Sequence, residues 1–311
     1  MCLVALAFDQ QSRFPMVLAS NRDEFHERPT ARLGWWSPGP GLPDILSGRD
    51  LREGGTWLGL NAEGRLALVT NVRKPAPADA QAPSRGRIVP LWLRGDLSPD
   101  RFWTQVALSG HHPFNLIAAD FRHGDCYWAS SETASPQRLE RGVYGLSNAG
   151  LDTPWPKVRR LKTKLREALL LATSVDHLAS QLFDALTDRT PAADDELPHT
   201  GVPRDWERQL SPAFIQTPDG RYGTRCSTLV ITERVNKRLV THVLERSFNP
   251  GSKLALLRRS ELKDWPPRYS AAAAQPEIVA DAEDLPLAVK KARARGVLRP
   301  AVPGRRPRTS R

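Results

Sequence analysis

Two short apolar runs open the chain, residues 2–8 and 14–20, separated by the polar stretch 9–13 and followed by the cluster Asn21, Arg22, Asp23 and Glu24. Runs of this length around a turn-rich spacer predict a strand hairpin that delivers polar groups beside the chain start. Residues 28–43 are rich in Pro, Gly and Trp and read as loop, with Trp35 and Trp36 packing within it. Over residues 45–72, turn signals flank TWLGL and RLALVT, which predicts two antiparallel strands joined at 61–64. Their imperfect alternation fits strands covered on both faces. Thr70, Asn71 and Arg73 end the second strand, where polar groups can share a cleft with Asn21 and Asp23.

Residues 75–85 lack periodicity and read as an exposed loop, after which 87–93 and 98–108 take helical spacing. Ser98 is placed to cap the second of these, with Pro99 in its first turn. Residues 114–120 and 126–130 predict another hairpin, and 142–148 a further sheet segment. Val158, Leu161, Leu165 and Leu169 define an amphipathic helix over 156–171 whose charges read as a solvated face. Ser174 caps a second helix to Leu186, and the acidic, Pro-rich stretch 190–208 reads as a mobile loop near the cleft. Residues 224–232 and 238–245 alternate as an antiparallel pair, with Asn236 and Lys237 in the turn. Strand pairs, then helix pairs, then strands again predict an α+β fold, a four-layer αββα sandwich.

Composition narrows the possibilities. A chain of 311 residues buries a sizeable core. It contains no apolar run of eighteen residues, so no spanning helix is expected. The first apolar run lacks a preceding basic region and is interrupted by Asp9, Gln10, Gln11 and Arg13, which argues against a signal peptide and for a cytoplasmic protein. Cys2, Cys126 and Cys226 are too few and too scattered for a disulfide framework or a CxxC metal site. The adjacent His111 and His112 read as solvated loop, with no third ligand to form a metal centre, and no cofactor is expected. The net charge of +11 is largely a tail property: residues 286–311 hold nine Lys or Arg and no acid, leaving +2 for the rest. One domain over 1–268 and a disordered basic tail over 269–311 follow, and specific nucleic-acid binding is not expected.

Cys2 carries the candidate chemistry. Removal of Met1 leaves a thiol and an α-amine on one Cα, the arrangement of an N-terminal nucleophile. An amine with a pKa of about 7.7–8.0 can accept the proton of a thiol with a pKa of about 8.5, so no separate His is required. Asn148, in GLSNAG at a strand end, reads either as a turn-forming Asn or as an amide donor to a developing oxyanion, a contribution of roughly 3–4 kcal/mol in other enzymes. Arg225, at a strand entrance, reads as a substrate anchor or a surface charge.

Six ordered motifs carry a resemblance: MCLVALAF at the start, NRDE at 21–24, GGTWLGLN at 54–61, TNVR at 70–73, GLSNAGLDTPWPKV at 145–158 and YGTRCSTLVI at 222–231. Together they resemble the NRDE family, also called the transport and Golgi organisation family, from Cys2 to about Phe248. The resemblance implies an N-terminal-nucleophile hydrolase-like fold. It favours the oxyanion role for Asn148, because penicillin V acylase and bile salt hydrolase relatives place such an Asn after a comparable strand. Cys2, Asp23 and Asn148 are then the expected catalytic residues of an amide hydrolase acting on an acyl substrate, with Asn21, Arg22, Asn71 and Arg225 against the substrate. The relatives' Arg in an arginine-asparagine-x-aspartate order falls on Ser20, so Arg22 or Arg225 must supply the cation near the thiol. The alternative is a non-catalytic carrier of haem, acyl lipid or acyl-CoA.

Overall fold

A computed structural model describes residues 2–75, 79, 81–249 and 254–267, and the expected tail over 269–311 lies outside them. The opening runs form the expected hairpin of β1 (Cys2–Phe8) and β2 (Met16–Phe25), with Leu6 opposite Leu18. Then follow β3 (Thr30–Trp36), β4 (Ile45–Asp50), β5 (Leu58–Asn61) and β6 (Arg65–Asn71). Helices α1 (Ile88–Leu93) and α2 (Pro99–Ala107) precede β7 (Phe114–Asp120), β8 (Asp125–Ser130), the short β9 (Gln137–Arg138) and β10 (Gly142–Leu146). Helices α3 (Pro156–Leu171), α4 (Val175–Leu186) and α5 (Arg204–Gln209) lead to β11 (Tyr222–Val235), β12 (Arg238–Phe248) and β13 (Leu254–Lys263).

The described strands form two antiparallel sheets, ordered β10-β1-β2-β11-β12-β13 and β3-β4-β5-β6-β7-β8-β9. Side chains alternate across a strand, so β1 sends Leu3 and Ala5 to one side and Val4 and Leu6 to the other, and both sides are buried. Leu3, Val17, Leu229 and Ile231 pack against Leu161 and Leu165 of α3 and Leu178 and Leu182 of α4. Val4, Leu6, Leu18 and Val230 meet Leu46, Leu60, Leu68 and Ile117 between the sheets. Ala67, Val69 and Leu116 on the outer face of the second sheet take Ile88, Trp92 and Phe102 from α1 and α2. Three successive cores make the four-layer αββα sandwich, in which each large buried aliphatic side chain contributes about 1.5–3 kcal/mol.

Several local expectations change. Residues 30–36 are a strand rather than loop: Leu33 N–H donates to Glu245 (2.9 Å), Arg258 donates to the Leu33 carbonyl (2.9 Å), and Trp36 Nε1 donates to Ser47 (2.8 Å). These bonds hold an edge strand whose Pro, Gly and Trp content resembles loop composition, and Trp35 is 47% exposed rather than packed. Residues 45–72 hold three strands, not two. The stretch 190–208 contains α5 and a short 3-10 turn, and is tied down by Arg208 to Asp194 (2.7 Å) and by a buried Arg73–Glu207 pair. Ser98 stands before α2 without a side-chain cap bond, whereas Ser174 accepts from the His177 N–H as expected. Strand β13 was not expected from the sequence pattern.

Candidate active site

Strand β2 does not stop at its polar cluster but runs through it to Phe25, so the cluster is laid out by register, with Asn21, Arg22 and Asp23 buried and Glu24 half-buried. Cys2 pairs with Arg22 and Arg22 with Cys226, and directly paired residues share a face. Cys2, Arg22 and Cys226 therefore point between the sheets, while Leu3, Asn21 and Ser227 point toward the helices. Cys2 is 7% exposed and lines a cavity of about 350 Å³, together with Arg22, Asp23, Trp57, Asn71 and Arg85. Burial raises the thiol pKa, as do the Asp23 and Glu24 charges, against the lowering effects of the positive chain terminus and Arg22. The resting thiol is protonated and needs a base. Arg22 supplies a cation on the thiol's own face, with its guanidinium 4.3 Å over the Trp57 ring and donating to Thr30 (3.2 Å).

Asp23 belongs to the opposite face from Arg22, and a bulge in β11 brings it a partner. Thr224 pairs with Asp23, but the next paired residue, Cys226, meets Arg22, so Arg225 is an extra residue. One extra residue reverses the facing of everything beyond it. Thr224 thus reaches the helix side and donates to Asp23 Oδ1 (2.7 Å), while Tyr222 Oη donates to the Asp23 carbonyl (3.0 Å). Burial raises the Asp23 pKa, against the chain terminus, Lys157, the Thr224 hydrogen bond and Arg73. The bulged Arg225 is turned away: it donates to the carbonyls of Phe25 (2.7 Å) and Arg28 (3.0 Å) and is absent from the cavity wall. The expected convergence of Arg225 on the cleft is therefore corrected, and so is that of Asn21. Its amide donates to Leu186 and Ala213 carbonyls (2.8 Å each) and accepts from Ser227 (2.6 Å), which clamps β2 to the end of α4.

Two amides meet beside the cavity, Asn71 at the end of β6 in the second sheet and Asn148 just after β10 of the first. Asn148 is 0% exposed, and its Nδ2 donates to the Asn71 carbonyl (3.0 Å) and to Asn71 Oδ1 (2.9 Å). A backbone carbonyl only accepts, which fixes the Asn148 amide and makes the facing Asn71 atom an oxygen. The Asn71 NH2 consequently points away from Asn148, and Asn71 is the one that lines the cavity. Ser147 ties this pair to β1 by donating to the Cys2 carbonyl (3.1 Å), and Thr70 donates to the Ser147 carbonyl (2.7 Å). Structure thus puts Asn148 behind Asn71, where the sequence reading put Asn148 at the reacting carbonyl.

Lys157 is the residue that the helical periodicity misses. It is 3% exposed, donates to the Leu210 carbonyl (2.9 Å), and has its pKa pushed down to about 8, chiefly by burial and next by Arg73. Asp23, Cys2 and Glu207 act in the opposite direction. Arg73, paired with Glu207 and 4.8 Å over the Trp155 ring, completes a buried set of two cations and two acids behind the thiol. A signal existed in the sequence: Lys157 follows the N-terminal Pro156 of a helix with no acid in its first turn, where a cation opposes the helix dipole. Arg85 and His112 also line the cavity, although their segments read as exposed loops. Cys126, pushed up to about 12 by burial, and Cys226, raised well above its usual value by burial, are inert core thiols. Among the described residues, no group of three or more His, Cys, Asp or Glu is arranged to hold a metal, and no helix is long and apolar enough to cross a membrane.

Among solved structures, a Caenorhabditis elegans ortholog of N-acylethanolamine-hydrolyzing acid amidase matches at 12% identity and a TM-score of 0.42, covering 74% of this chain and 92% of that one. The C2A mutant of a conjugated bile acid hydrolase from Clostridium perfringens matches at 9% identity and a TM-score of 0.42, covering 84% and 92%. Among sequences, the Transport and Golgi organization protein 2 homolog of Bos taurus is 34% identical over 253 residues, 75% of this chain and 89% of that protein. The Homo sapiens homolog is 33% identical over 255 residues with the same coverage, and the Drosophila melanogaster protein 27% identical over 271 residues, 80% and 92%. A family model described as Transport and Golgi organisation 2 matches residues 1–250, which span every strand and helix described above up to β12. The chain belongs to the Transport and Golgi organisation 2 family.

Proposed function

We propose that the protein is an N-terminal-cysteine hydrolase that cleaves the amide bond of an acyl substrate. The observation that carries this reading is the seating of Cys2 at the end of β1, on the wall of a cavity it shares with Arg22, Asp23 and Asn71. With Met1 removed, the Cys2 amine takes the thiol proton and the thiolate attacks the amide carbonyl carbon. Negative charge collects on the carbonyl oxygen, where the Asn71 NH2 donates to it and Asn148 holds Asn71 in place. The carbon–nitrogen bond then breaks, the leaving amine takes the proton from the Cys2 ammonium, and a thioester remains. Water, deprotonated by the same amine, attacks the thioester and releases the acid and the thiol. Asp23, fixed by Thr224, holds the α-ammonium through these steps. Arg22 favours the thiolate from the adjacent strand.

The carrier reading has less support. A haem site is lined mainly by apolar side chains, whereas Arg22, Glu24, Arg28, Asp50 and Arg85 line this cavity. The reading places the enzyme in the cytoplasm, where three unpaired thiols stay reduced. The test is intact-mass measurement together with assays of an acyl-amide panel, and of haem and acyl-CoA binding, for the parent, Cys2→Ser and Asp23→Asn. Loss of Met1, turnover by the parent, and loss of most turnover with retained substrate binding in both variants support the enzyme. Retained Met1 on every molecule, or unchanged hydrolysis in Cys2→Ser, defeats it.

A further inference from the structure

Three guanidiniums line the cavity, and two of them have a carboxylate within 4.0 Å. Arg28 is held by Asp50 at 2.6 Å. Arg22 lies over Trp57, with Glu24 at 3.9 Å and Arg28 sharing that same carboxylate at 4.0 Å. Arg85, half-buried in the cavity wall, donates only to the Pro113 carbonyl (3.2 Å), and among the described residues no carboxylate pairs with it. A guanidinium has five N–H donors, and burying its charge without a counter-ion is unfavourable. Burial accordingly lowers the Arg85 pKa, while the Cys2 thiol and Glu24 act on it from across the cavity in the other direction.

The position of Arg85 is built in by the backbone. Thr56 N–H donates to the Gly86 carbonyl (3.0 Å), and Arg87 N–H to the Ser84 carbonyl (3.1 Å). A Cβ on Gly55 would stand 2.2 Å from the Gly86 carbonyl oxygen, so only glycine allows the two segments to close on each other. The second glycine of the GGTWLGLN motif thereby fixes a cation whose own segment carries no sequence signal. A rigidly held, half-buried cation that lacks a counter-ion and faces the nucleophile is arranged to receive an anion from outside. Arg donates in a planar fork that matches a carboxylate.

Given the amidohydrolase reading, on which this inference rests, we propose that Arg85 anchors a carboxylate of the substrate, so that the bond cut at Cys2 belongs to an amide carrying that charge nearby, an N-acyl amino acid being the simplest case. The carboxylate can sit on the amine half, as in N-decanoylglycine, or on the acyl half, as in the monoamide of a dicarboxylic acid. Each is assayed beside its neutral isostere, N-decanoylglycinamide or the corresponding diamide. For the parent, kcat/KM favours the charged member of at least one pair by roughly 10- to 100-fold, the size of a charge-assisted hydrogen bond. Which pair shows the preference identifies the half that carries the charge. Arg85→Gln brings that ratio near one, mainly through KM, and Arg85→Lys restores part of it. Equal rates within both pairs for the parent overturn the proposal, as does an Arg85→Gln variant that lowers both members of a pair alike, since that is a structural effect of losing the Pro113 contact. If the parent cleaves no amide, the hydrolase reading fails separately. Calorimetry with the same four compounds on Cys2→Ser, with and without Arg85→Gln, then decides: binding of a charged member at least tenfold tighter, and only with Arg85 present, supports the anchor, and equal binding overturns it.

Discussion

Replacing Lys157 by Met tests whether the ammonium behind the thiol is truly dry. In the folded chain its pKa falls from 10.5 to about 8, and in the unfolded chain it returns to the ordinary value. Below pH 8 both states hold the proton and the native state bears the full cost of burying it. Between about 8 and 10.5 the native state gives the proton up while the unfolded state keeps it, so the unfolded state binds more protons and stability rises with pH. A fall from 10.5 to about 8 corresponds to about 3 kcal/mol, most of which accrues between pH 7 and 10. Cys126, Cys226 and Tyr222, whose pKa values burial raises, oppose this trend, because they ionise only on unfolding in the same window. The right quantity is therefore the difference between parent and Lys157→Met, in which those groups cancel. Urea unfolding of both proteins at pH 7, 8, 9 and 10 should show the parent gaining about 2–3 kcal/mol on the variant across the series. The lost bond to the Leu210 carbonyl adds an offset that does not vary with pH. A difference that stays flat from pH 7 to 10 refutes the reasoning, since it means that water reaches the ammonium or that Asp23 and Glu207 compensate it fully.

The amide pair separates donor from support. Asn71→Ala should lower kcat on a cleaved acyl amide by roughly 10²–10³, as for loss of an oxyanion donor, with KM little changed. Asn148→Ala should cost less, because Asn71 stays in the cavity but loses the bonds that orient it; a larger loss in Asn148→Ala than in Asn71→Ala reverses the assignment. Gly55→Ala should destabilise the fold by about 1–3 kcal/mol in urea unfolding, the usual range for forcing a carbon into a packed site. Unaltered stability there would mean that residues 84–87 do not dock as described.

The layers were legible because alternation and periodicity report burial. Leu3, Val4, Ala5 and Leu6 are apolar on both faces of β1, which marks a strand between two covered surfaces, and Ser174 with Leu178 and Leu182 marks α4. Strand β3 was not legible, because Glu245 and Arg258, more than two hundred residues away, supply the bonds that straighten it. The site divides in the same way. Cys2 and Asp23 stand out by their place at the chain start, and Asn71 by its place at a strand end. Asn21 carries equally suggestive chemistry, yet strand alternation alone puts it opposite Arg22, against the helices. Arg85 and Lys157 escape notice for one reason: contacts between segments distant in sequence bring Arg85 to the cavity wall, Gly55 with Gly86, and hold Lys157 buried near Asp23, Lys157 with Leu210.

The extra residue in β11 gives that strand two reading frames. From Cys226 onward, even-numbered positions look toward the second sheet, while Thr224 before it looks toward the helices. The frame changes at Arg225, which has no partner of its own on β2. Substituting Arg225 removes two bonds to the carbonyls of Phe25 and Arg28 and leaves the count intact. Deleting it lets the ladder close without interruption: Thr224 stays opposite Asp23 and Cys226 stays opposite Arg22, because these two pairs already flank the extra residue. A single-codon deletion here therefore removes the bulge and the two carbonyl bonds while the carboxylate beside Cys2 keeps its threonine partner, and alignments of related chains can open a one-residue gap at this position without moving either frame.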